Sequence, residues 1–271
     1  MGARILTTLL LAAAFPALGA ADAAAGKDAP SPGVAWGWDG VAAPGGKVRY
    51  VALTAGRSTT VAAVRIDGGR VLRFRSVQGS YGVPLVAYDG TTDGLTRDGR
   101  TLFLASPPHG GARVSRFAVV STRNLALRRV VTLRGAFSYD ALSPDGSTLY
   151  LIEYVSARDY SRYRVRAYDL EQGRLLAQVI ADRRSEETEM RGSPVTRVST
   201  ADGGWAYTLY AGGHHPFVHA LDTRGRQAVC IDLPWHGKQD PLWTMRLTLS
   251  ADERTIVLRG TGRRIALPAP R

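Results

Sequence analysis

Two acids and two arginines, Asp93, Asp140, Arg197 and Arg246, are the residues whose types and placing come nearest to a chemically useful set. Carboxylates and guanidinium groups that face one another around a concavity orient an anionic or hydroxyl-rich ligand through charge-assisted hydrogen bonds. Tyr139 and Trp243 stand beside them in the chain and add a hydroxyl and an aromatic face; Asp89, Arg191 and His236 belong to the same neighbourhood. The two acids also raise a catalytic reading, because glycoside hydrolysis needs two carboxylates about 5 to 9 Å apart, one to give a proton and one to act as nucleophile or base.

Other chemistries find less material. The stretch "GGHHPFVH" holds His214, His215 and His219. The interval from His215 to His219 would suit one helix face, but the paired glycines, Pro216 and the β-like alternation put these residues on a loop and a strand, without the acid that accompanies a zinc-hydrolase motif. No serine sits in a Gly-x-Ser-x-Gly elbow, and Ser143 reads as a turn hydroxyl. Cys230, the one cysteine, lies in the apolar run "AVCIDLP" and reads as a small buried hydrophobe; alone, it forms no intramolecular disulfide. No catalytic set, metal site or cofactor motif is complete, so the six named residues are candidates for binding.

What positions them is a repeat. "DGLTRDGRTLFLA" from Asp93, "DALSPDGSTLYLI" from Asp140, "RVSTADGGWAYTL" from Arg197 and "LTLSADERTIVLR" from Leu247 align as strand, polar corner, strand. Their corner aspartates, Asp98, Asp145, Asp202 and Asp252, fall 47, 57 and 50 residues apart, the period of one supersecondary unit used repeatedly. An aspartate accepts hydrogen bonds from its own turn, and the glycine after it takes a backbone conformation closed to other residues. Glu253 stands where the other copies have glycine, which predicts a different geometry for the last corner. These aspartates read as joints, and removing the Asp145 carboxylate is expected to cost on the order of 1 to 2 kcal/mol of stability.

The rest of each unit is also strand-like. "TLYLIEY", "YRVRAYDL" and "LLAQVIA" follow one corner, with Tyr163, Val165 and Ala167 alternating as on a sheet covered on one face. An earlier unit lacks the corner but offers "KVRYVALT", "TTVAAVRI" and "RVLRFRSV". Four strands per unit, recurring, fit the blades of a single all-β propeller, which needs neighbours to cover each blade's apolar faces. The expectation is five blades of four antiparallel strands. The last unit is one strand short, and "GVAWGWD" from Gly33 is expected to complete it by pairing the two ends of the chain. An irregular β-sandwich would leave the period unexplained, and a Rossmann-like domain would need a glycine-rich strand-to-helix loop that is missing.

"LSPDGSTLYLIEY" followed by "RVRAYDLEQGRLLA" resembles the repeat of bacterial WD40-like and YVTN-type propellers, in which a Ser-Pro-Asp-Gly corner precedes a strand and an Asp-x-x-x-Gly turn joins the outer two. The resemblance covers roughly Val48 to Ala266 as repeats and extends to uncharacterised secreted proteins of high-GC bacteria. It implies a fold and leaves activity open, since the class includes binding scaffolds, protein-interaction modules, lactonases and other hydrolases. It also implies that Asp93, Asp140, Arg197 and Leu247 begin innermost strands near the mouth of the central channel. Similar five-bladed glycosidase-like enzymes carry three carboxylates at such starts, but here Arg197 and Leu247 take the later positions. Lactonase-like relatives hold calcium with acids and asparagines, and the one asparagine here, Asn124, lies in an outer turn.

The chain ends and the composition bound the setting. Arg4, the apolar run Ile5 to Ala14 and the small residues Ala17, Gly19 and Ala20 predict a secretory signal over 1–19, then a flexible mature N-terminus over 20–32 and the propeller over 33–271. The apolar run is too short to span a bilayer, and no later segment resembles a span. The 271 residues are 45% hydrophobic and 21% charged, enough for a sizeable core. The formal charge of +12, of which the signal accounts for only Arg4, reads as spread along the chain, favouring anionic envelope polymers without any signature of specific nucleic-acid recognition. The expectation is a monomeric, secreted or envelope-associated, noncatalytic propeller without cofactor. It would bind a protein partner or a polar or anionic ligand at its channel mouth; the alternative is a hydrolase of a lactone, ester or glycoside. Loss of capture by folded Asp140→Ala and Arg197→Ala proteins would mark that mouth as the site.

Overall fold

The computed structural model describes residues 37, 39–106, 113–184, 187–212, 215–235 and 238–267. The expected signal and spacer, His214 and His236 lie outside them. The described chain is nearly all strand, with one short 3₁₀ turn at Asp240–Thr244. No helix among the described residues is long and apolar enough to cross a membrane.

Each corner is built by the same four bonds. At the second, Ser143 Oγ donates to Asp145 Oδ1 at 2.5 Å, and the same carboxylate oxygen accepts the Ser147 N–H at 3.0 Å. Ser143 closes the turn on both sides: its carbonyl accepts the Gly146 N–H at 2.9 Å, and its hydroxyl accepts the Thr148 N–H at 2.9 Å. Thr96 with Asp98, Thr200 with Asp202 and Ser250 with Asp252 repeat the arrangement. The hydroxyl two residues before each aspartate is therefore as much a part of the joint as the carboxylate. Gly99, Gly146 and Gly203 take φ of 67°, 72° and 71°, and Glu253 takes 55°. The last corner thus keeps the common geometry, contrary to the expectation from its missing glycine. Glu253 accepts the Ala201 N–H of the preceding corner, a contact that helps hold a side chain in backbone space it otherwise avoids.

These corners join strands into five antiparallel sheets laid down in chain order. The first contains β1 (Val41–Ala42), β2 (Val48–Ala55), β3 (Ser58–Arg65) and β4 (Val71–Gln78). The second contains β5 (Thr101–Ala105), β6 (Val114–Ser121) and β7 (Leu127–Arg134). The third is β8 (Phe137–Leu142), β9 (Thr148–Tyr154), β10 (Arg162–Asp169) and β11 (Arg174–Ile180), with β12 (Met190–Arg191) added beside β10. The fourth is β13 (Ser193–Ser199), β14 (Trp205–Ala211), β15 (Phe217–Asp222) and β16 (Gln227–Asp232), and the fifth is β17 (Arg246–Leu249), β18 (Thr255–Arg259) and β19 (Arg263–Ala266). Four strands in every unit is therefore too regular an expectation. In the second unit, Gly94 at φ 108° interrupts the inner strand, which survives as isolated bridges such as Leu95 to Leu102.

Alternation then assembles the sheets. Leu102 and Leu104 turn toward the first sheet, packing with Tyr50, Val61 and Ala63, whereas Phe103, Phe117 and Val119 turn toward Phe137, Leu149 and Leu151 of the third. Tyr150, Tyr163 and Val165 meet Tyr210 and Leu221 of the fourth, whose Leu209 and Val218 meet Leu247, Ile256 and Leu258 of the fifth. Four apolar clusters thus lie between five consecutive sheets, each covering surface that one sheet alone would leave wet. No sheet closes the array among the described residues. Of "GVAWGWD" only Gly37 and Asp39 are described; the Gly37 N–H bonds the Val83 carbonyl, and β1 pairs with β2. The described start of the chain joins the first sheet and leaves the fifth three-stranded.

The charge is also not spread as expected. Residues 43–136, the first two sheets, contain fifteen Lys and Arg against four Asp and Glu, whereas residues 137–271 contain eighteen against sixteen.

Candidate functional site

The inner strands bring four of the six candidates together, but deeper than a channel mouth. Asp140 is the fourth residue of β8 and Arg197 the fifth of β13, because those strands start earlier than the corner alignment implies. Both strands carry a bulge. Tyr139 pairs with Leu151 and Ala141 with Tyr150, so Asp140 is the extra residue; the register of β13 slips likewise between Pro194 and Thr196. A bulge re-aims side chains that a regular strand would send to opposite faces. Tyr139 and Asp140 are both buried, 3% and 2% exposed, as is every residue of β8.

Arg197, 7% exposed, spans from the fourth sheet to the third. Its Nη2 donates to Asp140 Oδ1, its Nη1 to the Asp140 carbonyl, and its Nε to Thr208 Oγ1 at 2.8 Å. Burial, the largest single influence, works against the guanidinium charge, but Asp140 together with Tyr210 and Asp93 outweighs it, and the Arg197 pKa is raised above its ordinary value. Asp93 completes the group from the second unit, where its carboxylate accepts the Gly94 N–H at 2.7 Å. Burial raises the Asp93 carboxyl above its ordinary range, with Gly94 and Arg197 opposing. The Tyr139 hydroxyl lies beside Asp93 without completing a hydrogen bond, and it too is raised by burial and by that carboxylate. Asp140 Oδ2 and His219 Nε2 are buried without a hydrogen-bond partner among the described residues.

Above this group lies a pocket of about 160 Å³ at the corner ends of the inner strands. Asp93 and Arg197 line it, with Thr91, Thr92, Ser143 and Arg97 around them. Tyr139 and Asp140 stand behind the lining. The volume is below the several hundred Å³ of a whole small-molecule site, so the pocket accommodates an end group.

Arg246 and Trp243 sit elsewhere. Trp243, in the 3₁₀ turn, meets the Tyr88 ring edge-on at 5.4 Å between centroids, and Arg246 approaches Asp89 at 3.9 Å while remaining half exposed. Tyr88 and Asp89 donate backbone N–H bonds to the Pro194 and Val195 carbonyls of β13 at 3.0 Å each. The segment between the first two sheets therefore reaches past the third to the fourth and fifth. Sequence reasoning named Asp89 but had no signal for this crossing, since nothing local marks a strand's partner three units away.

The histidines do not converge. His215 Nε2 meets Asp232 at 2.9 Å near the surface, whereas His219 is buried on β15, where burial pushes its pKa down to about 4 and keeps the ring neutral. Its Nδ1 lies 3.8 Å from the Cys230 sulfur. Burial pushes the Cys230 thiol up to about 12, opposite to the shift that a reactive cysteine requires. The charged loop from Asp182 guards an edge: Asp182 accepts the Cys230 N–H at 2.8 Å and Arg184 donates to the Cys230 carbonyl, satisfying groups that the outer strand β16 would otherwise expose.

No protein-family model matches the chain, and no curated protein matches it in sequence. Among solved structures it is similar to hydrazine synthase of Kuenenia stuttgartiensis, at 15% identity and a TM-score of 0.50 over 90% of this chain and 59% of that one. It is also similar to the Cps50 (Swd1) β-propeller domain of Myceliophteria thermophila, at 14% identity and a TM-score of 0.49 over 83% of this chain and 64% of that one. TolB of Acinetobacter baumannii gives 16% identity and a TM-score of 0.45 over 72% and 43%. The chain therefore spans less than two thirds of each of these proteins, and likeness at such identity speaks of the fold alone.

Proposed function

We propose that this chain is a noncatalytic binding scaffold of the cell envelope, exported and monomeric, with its five sheets acting as the blades of a β-propeller. It takes the polar end group of a protein partner or envelope ligand into the central pocket. The observation that carries this reading is the convergence of Asp93 and Arg197, from the second and fourth units, on one small concavity ringed by hydroxyls. A carboxylate acceptor beside a guanidinium donor suits an amide, a hydroxyl or a zwitterionic end. Arg246 and Trp243 form a second polar contact point for the body of a larger partner. Hydrolysis is less well supplied, because Asp140 is engaged by Arg197 and Asp93 is left as the carboxyl of the pocket lining.

Calorimetric titration with a panel of monosaccharides, amino-acid amides and wall-polymer fragments tests this reading. At least one probe should bind saturably to the wild type and fail to bind folded Asp93→Asn. Binding unchanged in both Asp93→Asn and Arg97→Ala would remove the pocket from consideration. Turnover of an ester, lactone or glycoside that disappears in Asp93→Asn would replace the scaffold by an enzyme.

A further inference from the structure

The large hydrophobic side chains that remain exposed are confined to one part of the molecule. All eight among the described residues, Leu53, Ile66, Val71, Leu72, Phe74, Val114, Leu127 and Val130, fall within the basic first two sheets. Four of them lie in strands of the first sheet and Ile66 in its β3–β4 turn, with Phe74 71%, Val71 54% and Leu53 53% exposed. Register explains the grouping. Val51 pairs with Ala62 and Ala62 with Phe74, while Leu53 pairs with Thr60, so these side chains share the face turned away from the second sheet. The shift of register falls between Ala63 and Val64, and Val71 and Leu72 lie at the turn that closes the β3–β4 hairpin, next to Ile66.

Cations line the same hairpin from its other face: Arg73 and Arg75 pair with Ala63 and Val61, which pack toward the second sheet, so cationic and apolar side chains alternate along β4, the edge strand of the first sheet. Between Lys47 and Gln78 the chain carries seven basic residues and a single acid, Asp67. Arg57, Arg65, Arg70, Arg73 and Arg75 are exposed, and none forms an ion pair among the described residues. Arg73 donates one bond to the Thr122 carbonyl of the second sheet, which braces the hairpin against its neighbour. A soluble polyanion would satisfy the arginines and leave Phe74, Val71 and Leu72 in water. A protein sheet laid flat on the face would have to accommodate a field of unpaired positive charge. An anionic lipid surface met edge-on by β4, where both rows of side chains are exposed, answers both requirements, since its headgroups attract the cations and its acyl boundary receives the apolar tips.

We propose that the β3–β4 hairpin docks edge-on, along the outer strand β4, on an anionic membrane surface. The surface shares no residue with the lining of the pocket, which remains free to bind. Contact is peripheral: cations draw the protein in within roughly a Debye length of about 10 Å, and the apolar tips then fix its orientation.

Flotation of the full chain with phosphatidylcholine vesicles and with vesicles that also contain phosphatidylglycerol tests the proposal. The apolar run Ile5 to Ala14 is common to all variants, so differences between them report the hairpin. Wild type should float with the anionic vesicles, and added salt should weaken the association. Arg70→Glu with Arg75→Glu should reduce partitioning about tenfold or more, and Leu72→Ser with Phe74→Ser by about tenfold. All four side chains are exposed, so unchanged melting temperatures should accompany both losses. Equal flotation with the two vesicle types, no flotation at all, or flotation indifferent to both double substitutions would overturn the proposal. Self-association in sedimentation velocity that Phe74→Ser abolishes, with vesicles left unbound, would overturn it in favour of a second copy on this face.

Discussion

Residues 43–136 and the sheets that follow them use the same strand-and-corner grammar, yet they place arginine in opposite surroundings. In the first two sheets the basic residues are nearly unopposed, and Arg100 with Asp98, at 3.7 Å and exposed, is the only ion pair among the described residues with both partners in this region; Asp89 pairs outward, with Arg246. In the later sheets Arg162 meets Glu189, Arg166 meets Glu153, Arg184 meets Asp182 and Arg197 meets Asp140. The first arrangement leaves charge available to something outside the molecule. The second spends it internally, and at Arg197 it does so without water, where the desolvation of each ion is offset only while its partner remains. The difference teaches that the +12 of the chain is not one property but two: a surface field from one region and a set of internal ties in the other.

Substitution of Asp140 should break the comparison open with the largest effect. Asp140→Ala leaves the Arg197 charge buried and unpaired and is expected to cost about 3 to 5 kcal/mol, read as a lower urea midpoint. The combined Asp140→Leu and Arg197→Met protein should recover most of that loss. A single substitution that leaves the midpoint unchanged would mean the pair is not buried in solution. Because the fold itself is at stake, loss of binding by Asp140→Ala cannot be read as loss of a ligand contact; Asp93→Asn is the cleaner probe.

The buried side of the molecule should also dominate its acid response. His219 has a folded pKa of about 4 against an ordinary 6.5, so the unfolded chain takes the proton first as pH falls. The stability contributed by the neutral buried ring is intact above about pH 6.5 and is lost between there and pH 4, on the order of 3 kcal/mol in total. His219→Gln should flatten that limb of the curve of unfolding free energy against pH. Asp202 follows at lower pH: the Gly204 N–H and the Thr200 hydroxyl hold its pKa down to about 2, so its contribution disappears between about pH 4 and 2. A profile without any loss between pH 6.5 and 4 would place His219 in contact with water.

Corner chemistry is common to both regions and should give an intermediate effect. Asp145→Ala removes the acceptor of the Ser143 hydroxyl and the Ser147 N–H, at an expected cost of about 1 to 2 kcal/mol. Asp98→Ala in the basic region should fall in the same range, and a much smaller value there would show that its corner is held mainly by neighbours. The smallest effect is expected at the exposed arginines, where Arg70→Ala or Arg75→Ala should shift stability by no more than about 0.5 kcal/mol in either direction. A clear loss from either would reveal an internal partner and weaken the contrast between the two regions.

Much of the fold was legible because its signals are local. The hydroxyl-x-Asp-Gly corners, their period near fifty residues and the alternation of Tyr163, Val165 and Ala167 depend on contacts within a few positions or along one strand, and each appears in the structure as a turn or a covered face. The meeting of Asp93, Tyr139, Asp140 and Arg197 was legible in part, since residues aligned in one repeat occupy equivalent inner positions. Their depth was not. It follows from where β8 and β13 start and from the bulges at Asp140 and Val195, which are set by pairing with β9 and β14. Glu253 shows the same limit: its residue type argued against the glycine conformation, but a bond to the neighbouring corner helps to hold it there.

By itself, then, the sequence determined an all-β chain of repeated sheets and the turn that joins their strands, because hydrogen-bonding range and side-chain periodicity are written into adjacent positions. Only the tertiary structure decided that Asp140 and Arg197 face each other, that Tyr88 and Asp89 cross to the fourth sheet, and that Leu53, Val71 and Phe74 of the first sheet stay exposed. Those outcomes depend on which sheet faces which, and that is settled by burying apolar area between elements up to a hundred residues apart, a quantity no local pattern encodes.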